Sequence, residues 1–82
     1  MKTFIVTVVA TNSEGQTTST NYLFANGTEP ENKKAALEKY HYECYYAINQ
    51  ALPYALIDIR DERGAVIRME IIEDTGITTV GA

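Results

Sequence analysis

One cysteine, one histidine, two prolines and no tryptophan among 82 residues leave few side chains for chemistry. A single cysteine excludes a disulfide within the chain and every paired-cysteine metal motif, and the reducing cytoplasm is the compartment expected for such a chain. A single histidine excludes a multi-histidine metal site in one copy. Glu38 and His41 do have the Glu-x-x-His spacing of carboxylate-bridged dimetal centres. Those centres, however, draw two such motifs and two further carboxylates from four helices. No metal and no cofactor is expected. Cys44 follows His41 by three positions but lies on the apolar stripe of a helix, without an orienting third group, so it reads as a small core residue rather than a nucleophile. Asp58, Asp61 and Glu62 read as paired or solvated carboxylates, and no glycine-rich loop precedes a helix to cradle phosphate. No catalytic residue is expected, and the chain reads as a non-enzyme.

An excess of positive charge is also missing. Seven Lys and Arg face eleven Asp and Glu, for a net charge of −4. Nucleic-acid binding draws on neutralised phosphates, so DNA and RNA are not expected partners. The carboxylates are too dispersed for a nucleic-acid mimic. No apolar run approaches the length needed to cross a bilayer. The opening MKTFIVTVVAT has the outline of a small signal peptide, but its apolar run is short and broken at Thr7 by strand-like alternation.

What the chain does have is one long amphipathic stretch between two alternating ones. Thr28 and Glu31 form a capping box, Pro30 suits a first helical turn, and Pro53 disfavours helical geometry at Leu52. The expected helix spans 29–52 and measures roughly 35 Å. Ala36, Leu37, Tyr40, Cys44, Ala47, Ile48 and Ala51 recur at intervals of three and four and define its core face. Ala35, Tyr42, Tyr46 and Asn49 lie opposite that face, with Tyr45 on the shoulder. Tyrosine combines an apolar body with a polar tip, as contact surfaces favour; the plainer reading is that these rings lie along the helix or under loops.

Hairpins are expected over 2–26 and 54–73. Asn12-Ser13-Glu14-Gly15 and Asp61-Glu62-Arg63-Gly64 both suit a three-residue loop with glycine in the left-handed position. The first turn sets Val6 opposite Tyr22 and Phe4 opposite Phe24. The second, extended without interruption, sets Ile59 beside Ile67, Ile57 beside Met69 and Ala55 beside Ile71, with Asp58 meeting Arg68 on the reverse face. The tail 74–82 is read as a frayed end or a short added strand.

These elements give a single α+β domain of ββαββ order: a four-stranded, mainly antiparallel sheet, ordered 2-1-3-4, with one long helix packed on one face. The other face is expected to carry Ile5, Val9, Leu23, Leu56, Tyr54, Val66 and Ile72 among Thr7, Asn21, Asp58, Arg68 and Glu70. An apolar patch of that kind calls for a partner, and a second copy is the economical one. The expected function is a small cytoplasmic protein–protein interaction module, homodimeric, with partner-binding residues Tyr42, Tyr45, Tyr46, Asn49, Ile5, Leu23, Leu56 and Ile72. An inhibitor encoded by a phage or mobile element, occluding a host protein, is its sharper form. The alternative is a small-ligand-binding domain with a cleft near His41 and Tyr45, walled by nearby strand residues.

Overall fold

The computed structural model describes residues 2–81. In chain order it contains β1 (Phe4–Thr11), β2 (Thr17–Phe24), α1 (Glu29–Asn49), β3 (Tyr54–Asp61), β4 (Val66–Glu73) and β5 (Gly76–Gly81). The strands form one antiparallel sheet in the order β2-β1-β3-β4-β5, and α1 packs on one face of it. The α+β class, the single helix and the order of the first four strands match expectation. The sheet has a fifth strand, because the tail 74–82 turns back at Asp74 and Thr75 and pairs along β4. Ala82, the last residue of that tail, lies outside the described residues, as does Met1.

The capping box forms as the residue types dictate. Thr28 accepts from the Glu31 N–H at 3.4 Å, and Glu31 accepts from the Thr28 N–H at 2.9 Å. That bonding holds the Glu31 carboxyl below its ordinary range. The far end of α1 stops earlier than the 52 expected. Ala51 takes a left-handed conformation, φ 51°, and its N–H bonds back to the Ile48 carbonyl while that of Leu52 reaches Ala47. This is a Schellman-type ending with alanine where glycine is usual, placed ahead of Pro53. Ala51 is therefore exposed rather than on the core face; Ile48, still within the helix, is half exposed at the edge of that face, and Leu37 is only partly buried.

Both hairpin turns form by the same device. The Asn12 Oδ1 accepts from the N–H groups of Glu14 and Gln16, and the Asp61 Oδ1 from those of Arg63 and Ala65. Gly15 and Gly64 both sit at φ +82°, where a Cβ is disfavoured. In the first hairpin the register runs on unbroken, with Phe4 opposite Phe24 and Val6 opposite Tyr22. In the second, Arg60 lies opposite Val66 and Ile59 opposite Arg68, so Ile67 is the extra residue of a β-bulge.

That bulge reverses the expected faces of β4. Ile57 lies opposite Glu70 rather than Met69, and Ala55 opposite Ile72 rather than Ile71. Arg68, Glu70 and Ile72 thus share the helix side with Ile59, Ile57 and Ala55, while Met69 and Ile71 turn to the open side. The reason is coverage. A helix about 10 Å across spans two or three strands spaced ~4.8 Å apart. Here α1 rests mainly on β1 and β3, with less contact to β2, the least to β4 and none to β5. Polar residues are therefore tolerated on the helix side of β4, where Ile72 is buried in the core and Ile67 packs partly buried against it. The core itself comprises Phe4, Val6, Ala36, Tyr40, Cys44, Ala47, Ala55, Ile57, Ile59 and Ile72.

Candidate functional site

Two surfaces carry the side chains singled out in the sequence. The first is the solvent side of α1. Tyr42, Tyr45 and Tyr46 are 57%, 66% and 46% exposed, and Asn49 is exposed beside them. No loop covers these rings. Tyr42 and Tyr46, one turn apart, stack with centroids 6.4 Å apart. Lys39 stands at their edge, its ammonium 4.2 Å from the Tyr22 ring centre and 5.2 Å from that of Tyr42. Its 2.9 Å ion pair with Glu43, four residues on, holds the ammonium above its ordinary range. Lys39 thereby ties the tyrosine face to β2, limiting the freedom that this face would lose on binding.

Beside the tyrosines an open depression of ≈ 810 Å³ runs along the helix, lined by Pro30, Lys33, Lys34, Leu37, Glu38, His41, Tyr42 and Tyr45. All eight belong to α1. The strand residues expected to wall a cleft near His41 and Tyr45 do not line it. His41 is exposed and packs edge-on against Tyr40 at 5.3 Å.

The second surface is the open face of the sheet. One row across it runs Ser19, Val9, Leu56, Ile71 and Thr78; the next runs Asn21, Thr7, Asp58, Met69 and Val80. Ile5 and Leu23 lie opposite each other in the following row. Ile5 and Leu56 are half-buried among their neighbours, and Leu23 is 67% exposed. Ile72 does not belong here: the bulge carries it to the helix side, where it is 6% exposed in the core. Arg68 and Glu70 leave the open face with it, and Met69 and Ile71 replace them. The patch is consequently more continuous in apolar character than the uninterrupted register implies.

At its centre is a polar group whose face the alternation gives correctly and whose partner the uninterrupted register misassigns. Asp58 is 3% exposed and pairs with Arg60 at 3.2 Å, not with Arg68. Arg60 also donates to the Gly64 carbonyl, which holds its guanidinium over the carboxylate. The second oxygen of Asp58 is buried without a hydrogen-bond partner. The signal for this pair was present in the sequence, since residues two apart on a strand share a face. Asn32 was also missed. It is 4% exposed and fastens the start of α1 by donating to the carbonyls of Lys2 and Gly27 and accepting from the Gly27 N–H.

Between α1 and β4, burial, with the Glu70 carboxylate as a lesser cause, pushes the Cys44 thiol up to about 11. Thiolate is therefore scarce at neutral pH, which disfavours nucleophilic use of Cys44. Among the described residues no three His, Cys, Asp or Glu side chains stand close enough to hold a metal ion, and no helix is long and apolar enough to cross a membrane. Compared with known proteins, the chain matches no family model, no curated protein and no solved structure at a significant level.

Proposed function

We propose that the chain is a small, non-catalytic, cytoplasmic module that binds other proteins and associates with itself. The observation that carries this reading is the cluster of Tyr42, Tyr45 and Tyr46, all about half exposed or more on one side of α1. Tyrosines that shield no core, with Tyr42 against the Lys39 ammonium and Tyr46 stacked on Tyr42, have the character of contact hot spots. The apolar rows of the open sheet face supply a second surface with the same need for cover. An inhibitor encoded by a phage or mobile element, working by occlusion alone, is the sharper form of the proposal. The depression beside His41 supports a protein contact rather than a small molecule, because one helix provides its whole lining and nothing encloses a ligand from the other side.

The test compares wild type with the double variant Tyr42→Ala, Tyr46→Ala in affinity capture from native lysate. The double variant keeps the unfolding midpoint within the range of surface substitutions, about 0.5 kcal/mol each. Proteins retained by wild type and lost by the variant support the proposal. Identical capture by both, at equal stability, removes the tyrosine face from it.

A further inference from the structure

Among the described residues, no element lies over the edge of the sheet formed by β5. All six residues of Gly76–Gly81 are exposed, and the strand pairs with β4 alone. Natural sheets guard such edges with charged side chains, proline, bulges or an overlying helix, because an unpaired row of N–H and C=O groups is a template for another strand. The sequence GITTVG contains neither charge nor proline, and its pairing with β4 runs from Gly76 to Gly81 without a register shift. Gly81 fits against Ile67 and Arg68 so closely that any Cβ there would strike backbone, so the strand stays paired with β4 to its last residue only because that residue is glycine.

We propose that β5 pairs antiparallel with β5 of a second copy, joining two five-stranded sheets into one continuous sheet. The proposal rests on the interaction-module reading and names one partner of that module and the strand that receives it. Three features favour a second copy at this edge. Ile77 and Val80 lie on opposite faces of β5 and are 52% and 45% exposed, so an added strand shields an apolar side chain on each face. The opposite edge, β2, exposes mostly hydroxyl and amide groups, and α1 already shelters Tyr22 and Phe24 there. The charge beside β5 also favours antiparallel self-pairing. β5 itself is uncharged, and Glu73 and Asp74 adjoin its start. Antiparallel pairing of like strands sets the two acidic turns at opposite ends of the seam, whereas parallel pairing would bring them together.

The twofold axis passes through Thr78 or Thr79, because an axis between them would set residues of opposite faces against each other. In either register Thr78 comes directly or diagonally opposite its own copy, and like charges there repel. Thr78→Lys and Thr78→Glu, examined by sedimentation equilibrium, test this directly. Wild type is expected to dimerise. Each variant alone is expected to dimerise at least tenfold more weakly, and an equimolar mixture of the two to recover dimerisation, which also shows that both are folded. Thr18→Lys on the β2 edge, outside the open-face rows, is expected to leave dimerisation unchanged. The proposal is overturned by a wild type monomeric at high micromolar concentration, by charge variants that stay dimeric, by a mixture that does not recover, or by loss of the dimer in Thr18→Lys. A monomeric wild type that still loses captured proteins through the tyrosine double variant would refute the strand pairing alone.

Discussion

In both hairpins an Asn or Asp side-chain oxygen gathers two backbone N–H groups and a glycine at φ +82° closes the loop, yet the first keeps its register and the second breaks it two residues beyond the turn. The difference follows from what lies above each outer strand. Under α1, the first hairpin commits Phe4, Val6, Tyr22 and Phe24 to one apolar face, and a shift of one position would expose them. The outer strand of the second lies largely beyond the helix, so β4 has less to lose by changing faces. A bulge there sends Ile72 inward and Met69 and Ile71 outward. Turn chemistry sets where pairing starts; the covering layer decides whether it persists.

The largest expected effect is on β3, the strand through which the second hairpin pairs with the first. Ile57 is fully buried, and Ile57→Ala is expected to cost roughly 2–5 kcal/mol in urea unfolding. A loss below half a kcal/mol would put that face of β3 in solvent. The sharper measurement sets two neighbours on β4 against each other. Ile72→Ala should cost about 2–4 kcal/mol as a core truncation, while Ile71→Ala on the open face should cost less than about 1.5 kcal/mol; the reverse order would restore the unbulged register. The turns themselves should be indistinguishable. An added Cβ meets nothing within 4 Å at Gly15 or Gly64, so each Gly→Ala change should lose only the left-handed preference, about 1–2 kcal/mol. Unequal losses would show that the bulge strains the second turn. The smallest effect is expected at Arg68, whose Nε is buried without a partner on the helix side of β4. Arg68→Met keeps the aliphatic stem and should change stability by no more than about 1 kcal/mol. A loss above 2 kcal/mol would mean that the guanidinium helps hold α1, through its position 6.0 Å from the Tyr40 ring.

Local signals carried much of the fold. The cap at Thr28, both turns and the first register could be read from residue types and their spacing, because each is set by contacts within one turn or one hairpin; the order of the first four strands rests on long-range pairing of β1 with β3 and followed from keeping the polar β2 at an edge. The bulge could not. In VIRMEIIE the residues at 67, 69 and 71 alternate as a core face should, and only the lateral position of α1 shows that this strand lies at the margin of the core. The site divides in the same way. The outward tyrosines follow from helical periodicity, since they lie opposite Ala36, Tyr40, Cys44 and Ala47. The composition of the open sheet face depends on the register of β4, and Ile72 was misplaced with it. The tail fits a short added strand as well as a frayed end, and the choice turns on the open edge of β4, which the sequence alone did not show.

Asn32, in the first turns of α1, joins the connection out of β2 just before it to the approach to β1, 30 residues away. Unwinding the start of the helix would strand that amide away from water unless β1 and the connecting loop let go as well. The helix therefore has no independent fraying mode at its beginning, whereas its other end, relaxed through Ala51, retains one. In hydrogen exchange the Gly27 amide should accordingly report opening of the whole domain, and the two ends of a single helix should keep different time.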